Sequence, residues 1–215
     1  MNFLSHYYFD RSNDPWFNTG LVLPDLSRNF CKGHLDLNQP FEGPRFTALR
    51  NGSIVHLAKD KIFHQSAFFN ECTHAIAELL DARGQWPRKW FFNHVLTEIT
   101  LDRVLMDADP ELCTAFYNDL HSVDAAEVAR FLAFGGVKEY ALFESRFNKF
   151  IEYAFIFDYQ HNEKINTALS QLYRRVGIHY TWTESDHRLI QEELPKIIGI
   201  VGANLEKLTK ELNNA

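Results

Sequence analysis

Cysteine is scarce in this chain. Only Cys31, Cys72 and Cys113 occur, far apart and with no C-x-x-C pair, which excludes a disulfide framework and a zinc knuckle and fits a reducing cytoplasm. Excess positive charge is missing too. With 22 Lys and Arg against 28 Asp and Glu, the net charge of −6 leaves no electrostatic footprint for nucleic acid or an anionic membrane. No apolar run approaches the roughly 20 residues that span a bilayer, and the opening Met1-Asn2-Phe3-Leu4-Ser5-His6 carries no basic segment, so a cytoplasmic protein without a membrane partner is expected. Internal repeats, low-complexity tracts and a convincing linker are absent, which points to one domain over residues 1–215. G-x-S-x-G, P-loop, G-x-G-x-x-G and H-E-x-x-H motifs do not occur either, removing the commonest hydrolase, nucleotide-binding and zincin readings.

Strand-type alternation is almost absent, whereas helical periodicity and aromatic content are high, with 19 Phe available to fill a core. An all-α fold of seven or eight helices follows. Asn18-Thr19 and the segment 21–30 read as a short helix interrupted or initiated near Pro24, with Asp25 near its middle. A second pattern runs from Arg45 to Arg83, with a break near Gly52-Ser53 where Ser53 could cap. Gly84 and Pro87 turn the chain into a helix beginning near Trp90, and Asp109-Pro110 ends it. Asp124 caps the segment 125–134, closed by Gly135-Gly136, and a long periodic segment covers 138–157. A helix from about Ile165 stops at Gly177, and the last begins near Thr183 or Ser185, with Pro195 bending or restarting it and Asp186-His187 on its wet first turn.

The chemistry concentrates on two helical stripes. His94, Glu98 and Asp102 stand at i, i+4 and i+8 of one helix, and His56, Asp60 and His64 repeat that spacing on another. Side chains four apart share a face, and buried carboxylates need metal, basic partners or water. Two such helices facing each other would converge up to six metal-competent groups. Imidazoles mixed with several carboxylates favour Mn²⁺, with Fe or Mg²⁺ possible, over a closed structural zinc.

Several segments, in order along nearly the full chain, resemble the acyl carrier protein phosphodiesterase family. Met1-Asn2-Phe3-Leu4-Ser5-His6 resembles its N-F-L-A-H opening, Gly20-Leu21-Val22-Leu23-Pro24-Asp25 its G-N-L-L-A-D, and His56-Leu57-Ala58-Lys59-Asp60 its H-R-x-I-D. Val95 to Arg103 is similar to V-x-x-D-x-x-x-D-H, and Ile165 to Arg175 to a G-I-x-x-A-L…R-R segment. The resemblance implies a helical bundle like the HD-type metal-dependent phosphohydrolases, and hydrolytic removal of 4′-phosphopantetheine from holo acyl carrier protein with a divalent ion, typically Mn²⁺. It marks His6, Asp25, His56, Asp60, Glu98 and Asp102 as metal-site candidates, to which the stripe adds His64. Asp25, Asp60 and His94 are candidates for proton transfer. Arg103, Arg174 and Arg175 are candidates for holding phosphate or an acidic carrier protein, with Arg88-Lys89 as a further docking patch. A smaller phosphodiester is the other expected substrate.

The chain departs from the family pattern at Leu21, Leu57, Phe63-His64, Trp90-Phe91, Glu98 and Arg103. Those departures support an alternative, a helical binding or scaffold protein that kept the fold and lost the chemistry. A third reading is a di-iron carboxylate oxidase, built on Glu71-Cys72-Thr73-His74 and Glu184-Ser185-Asp186-His187. With 15 Glu and 10 His in the chain, about 0.7 E-x-x-H matches arise by chance, so two carry little weight.

Overall fold

The computed structural model describes residues 1–214. Among them there are eleven α-helices, two short 3₁₀ segments (Tyr140–Leu142 and Phe155–Gln160) and no strand beyond an isolated bridge between Lys32 and Lys138. The all-α expectation holds, but the count of seven or eight helices does not. Three short N-terminal helices, α1 (Phe3–Asp10), α2 (Pro15–Gly20) and α3 (Leu23–Phe30), occupy a region where the sequence indicates a single helix. One or two turns are too short to display a period.

The 45–83 pattern is also divided, at a different place from the one expected. Helix α4 (Pro44–Gln65) runs unbroken through Gly52-Ser53, and the division comes at Ser66, whose hydroxyl accepts from the Phe69 amide at 3.0 Å and starts α5 (Ala67–Leu80). Glycine at 52 is a packing requirement. A Cβ there would lie 2.2 Å from the Phe17 carbonyl oxygen and 2.9 Å from the Gly20 Cα, and one at Gly20 would lie 2.5 Å from the Leu49 oxygen. The end of α2 and the middle of α4 therefore touch backbone to backbone, with the Ser53 hydroxyl 2.8 Å from the Leu49 oxygen and 3.2 Å from the Gly20 oxygen.

Beyond these lie α6 (Lys89–Ala108), α7 (Leu112–Ser122), α8 (Ala125–Phe134, capped by Asp124), α9 (Phe143–Tyr153), α10 (Asn162–Arg175) and α11 (Glu184–Asn213). The single helix expected over 138–157 is instead α9 between the two 3₁₀ segments, with Ala154 in the left-handed region at φ 44. Helix α11 continues past Pro195 without restarting. Pro195 and Gln191, whose carbonyl loses its helical donor, are both exposed, so water can replace the missing hydrogen bond.

The chain forms two compact units. One comprises Phe3–Lys61 and Pro110–Phe155, and the other Met1–Asn2, Ile62–Asp109 and Ile156–Ala215, the boundary falling within α4. The core of the first is a phenylalanine cluster. Phe3 meets Phe150 at 5.3 Å between ring centroids, Phe143 meets Phe147 at 5.2 Å, and Tyr7 meets Phe116 at 5.4 Å while its hydroxyl donates to Asp119. In the second, α5, α6 and α11 pack on one another, and α10 closes on α6 and α11 through Trp86, Phe92, Tyr173 and Trp182.

Asp186 is buried rather than wet. Its carboxylate accepts from the Thr183 amide at 2.9 Å, the Thr183 hydroxyl at 2.7 Å and the Tyr180 hydroxyl at 2.9 Å, completing a capping box at the start of α11. Burial would raise the Asp186 carboxyl, but these donors outweigh it and hold the group below its ordinary value of 3.8. The unfolded chain therefore takes up this proton first as pH falls, so the stabilisation is complete above pH 3.8 and lost below it. Asp186→Ala is expected to cost about 1–2 kcal/mol at pH 7 by urea denaturation, with the difference from wild type shrinking as pH falls through this range.

Candidate metal centres

In the first unit, three helices bring His6, Asp25, His56 and Asp60 together. His6 lies on α1 and is fully buried. Asp25 lies in the first turn of α3, not its middle, where Pro24 fixes the backbone and the helix N-terminus favours an acid. His56 and Asp60 are one turn apart on α4. The rings of His6 and His56 stack, 3.7 Å between centroids and 24° between planes. His6 Nε2 is 3.7 Å from Asp60 Oδ1, and His56 Nε2 is 3.8 Å from Asp25 Oδ1.

Both separations are too long for hydrogen bonds; that between His56 and Asp25 suits two ligands of a common ion, since donors about 2.1 Å from a metal lie roughly 3–4 Å apart, while Asp60 stands beside His6 outside the ligand group. One donor atom each from His6, Asp25 and His56 lies within 4.8 Å of the others. His56 is already oriented for that role. Its Nδ1 is 2.7 Å from the Leu21 carbonyl oxygen, to which it must donate, leaving the Nε2 lone pair facing Asp25. His6 has no hydrogen-bond partner at either ring nitrogen although both are buried. Such an orphaned imidazole costs about 1–3 kcal/mol, and a metal ion would satisfy it.

Burial, reinforced by the adjacent His56, holds the His6 imidazole well below the ordinary histidine value, and burial lowers His56 against the pull of Asp25. Both are then neutral at pH 7, the form that binds metal. Burial pushes the Asp25 carboxyl up, opposed by His56 and Arg28. Because His6 and His56 stay neutral in the folded chain below pH 6.5, the unfolded chain binds more protons there, so stability falls as pH drops from 6.5 toward the folded values. Urea midpoints of metal-free protein are expected to be lower at pH 5.5 than at 7.5, while the raised Asp25 acts in the opposite sense at more acid pH.

The second unit holds the other set. The His94, Glu98 and Asp102 stripe forms on α6 as expected, but it splits. His64 Nε2, His94 Nε2 and Glu98 Oε1 lie 3.2–3.3 Å from one another, and the Met1 amino nitrogen is 3.1 Å from the same glutamate oxygen. Burial would raise Glu98, but Met1, His64 and His94 outweigh it and hold the carboxyl well below its ordinary value. Asp102, one turn further and fully buried, is outside this triad and influences Tyr159, whose hydroxyl is pushed up by burial and then by Asp102. The stripe on α4 divides likewise. His56 and Asp60 join the set in the first unit and His64 the set in the second.

The remaining candidates are dispersed. Arg103 donates to Asp107 at 2.9 Å and to the Tyr159 carbonyl at 3.1 Å, so its guanidinium serves its own unit. Lys89 is likewise spent on the Asp81 carbonyl. Arg174 lines a cavity of about 300 Å³ with Ser170, His179, Tyr180 and Trp182, and Arg175 is exposed. The two E-x-x-H pairs assemble no metal-competent group among the described residues. Glu71 pairs with Lys207, His74 with Glu78, and His187 stacks on Trp182. The three cysteines are buried free thiols, and no helix among the described residues is long and apolar enough to cross a membrane.

Two contributors escaped the sequence reading. The Leu21 carbonyl that orients His56 is a backbone group with no sequence signature. Lys59, inside the quoted His56–Asp60 motif, reaches Asp10 on α1 at 3.8 Å and places a cation on the flank of the set in the first unit.

No family model, curated protein or solved structure matches this chain.

Proposed function

We propose that the chain is a divalent-metal-dependent phosphodiester hydrolase, with Mn²⁺ the favoured ion and holo acyl carrier protein the favoured substrate. The observation that carries this reading is the convergence of His6, Asp25, His56 and Asp60 around a buried, unpartnered imidazole. These are four of the six positions marked by the resemblance to acyl carrier protein phosphodiesterases, and they come from segments of the chain up to 54 residues apart. An all-helical fold accords with an HD-type bundle.

His6, Asp25 and His56 would hold the ion, two neutral imidazoles and a carboxylate being a suitable donor set for Mn²⁺ or Fe²⁺. The ion supplies Lewis acidity toward a phosphoryl oxygen and acidifies water. Asp60 is the most solvent-accessible member, 35% for its side chain against 21% for Asp25, and stands beside His6 outside the ligand group, so it accepts the proton of the attacking water. Lys59, next to it on α4, provides positive charge for the phosphate anion. The Leu21 carbonyl keeps His56 in the metal-binding tautomer.

The test is Mn²⁺-dependent hydrolysis of bis-p-nitrophenyl phosphate, followed by release of phosphopantetheine from holo acyl carrier protein. Activity in both that is lost in His56→Ala supports the reading. Folded, manganese-loaded protein that hydrolyses neither would leave the scaffold alternative.

A further inference from the structure

We propose that His64, His94 and Glu98 form a second metal site, separate from the His6, Asp25 and His56 set and taking a borderline transition metal such as Zn²⁺, Co²⁺ or Fe²⁺. The three donor atoms form a nearly equilateral triangle, with His64 Nε2 to His94 Nε2 3.2 Å, His94 Nε2 to Glu98 Oε1 3.2 Å, and His64 Nε2 to Glu98 Oε1 3.3 Å. Three ligands on one face of an ion, each about 2.0–2.2 Å from it, are separated by roughly this distance.

Hydrogen bonding alone accounts for the arrangement poorly. Three nitrogens, from Met1, His94 and His64, crowd a single carboxylate oxygen at 3.1, 3.2 and 3.3 Å, all longer than the roughly 2.7–2.9 Å of a good charge-assisted bond. If both Nε2 atoms carry protons to donate to Glu98, two N–H groups only 3.2 Å apart are aimed at one oxygen; if either does not, its lone pair faces the other donors. A cation at the centre of the triangle satisfies both lone pairs and the carboxylate together. His94 Nδ1 is buried with no hydrogen-bond partner, so the opposite side of that ring does not explain its orientation.

The surroundings suit a site of this kind. Phe69 packs edge-on against both imidazoles, at 5.1 Å from His64 and 4.9 Å from His94, and Trp90 flanks His94 at 5.4 Å, fixing the rings in place. Side-chain exposures of 31%, 18% and 16% for His64, His94 and Glu98 leave the triangle reachable from solvent. Two imidazoles and one carboxylate leave coordination positions open, as in two-histidine-one-carboxylate centres; the donor set matches that of His6, Asp25 and His56, so both sites take first-row transition ions in preference to Mg²⁺ or Ca²⁺, and Zn²⁺ and Co²⁺ serve as probes of both.

The experiment is Zn²⁺ stoichiometry on chelator-stripped, full-length protein, by calorimetric titration and elemental analysis. It compares wild type, His64→Ala, His94→Gln and His56→Ala, each checked for native helicity by circular dichroism. The expected result is two ions per chain in wild type and one in each variant, with Co²⁺ visible absorption surviving in His56→Ala and losing the triad's contribution in His94→Gln. If wild type binds one ion that is unaffected by His64→Ala and His94→Gln but lost in His56→Ala, the second site is overturned and the proposed hydrolase centre stands. One ion lost only in the His64 and His94 variants would sustain this site and remove the other.

Discussion

Asp60→Asn lowers kcat for Mn²⁺-dependent hydrolysis of bis-p-nitrophenyl phosphate by about 10²–10⁴-fold, the range expected when a general base is removed. Asparagine keeps the size and shape of the side chain but cannot accept the proton of the attacking water. His6, Asp25 and His56 remain, so manganese affinity and KM change little. A variant that instead loses manganese in proportion to activity would make Asp60 a ligand, and one with unchanged kcat would remove it from the chemistry.

Gly52→Ala produces the largest loss of stability, about 3 kcal/mol by urea denaturation. An alanine in a helix interior normally gains about 1 kcal/mol over glycine. Here its Cβ would sit 2.2 Å from the Phe17 carbonyl oxygen and 2.9 Å from the Gly20 Cα, and backbone cannot rotate aside as a flexible side chain can, so the end of α2 must move off α4. That movement also reaches the proposed metal centre, because Leu21, the next residue after α2, supplies the carbonyl that orients His56. Manganese affinity is therefore expected to fall about 10–100-fold, the usual effect of losing a group that orients a ligand. Gly199→Ala on α11 is the control. Nothing lies within 4 Å of its would-be Cβ, and it should gain about 0.5–1 kcal/mol. Equal effects at the two glycines would refute the close-approach account.

Gly52 marks a place where local sequence and tertiary packing disagree. Glycine in a helix reads as a weakness, and only the partner helix reveals it as a contact. Capping was more legible, because Asp124 and Thr183 act on amides two or three residues away and their chemistry is local. The sharing of a face by His94 and Glu98, and by His56 and Asp60, was likewise fixed by helical spacing. What covers each face was not. His64 stands eight residues beyond His56, about 12 Å along α4, far enough to belong to different surroundings. Periodicity alone suggested six converging groups, whereas the structure sorts them into two sets and leaves Asp102 with Tyr159. The parts played by His6 and Asp25 depend on contacts between α1, α3 and α4, which no local pattern encodes. They entered through the resemblance alone.

His6, Asp25 and His56 are proposed to hold a catalytic divalent ion. Equilibrium dialysis of chelator-stripped wild type and His56→Ala against Mn²⁺ at pH 7.5 tests this proposal most directly. Wild type is expected to retain a manganese ion that His56→Ala, folded to the same helicity, does not. Equal manganese binding by the two proteins, or none by either, would contradict it.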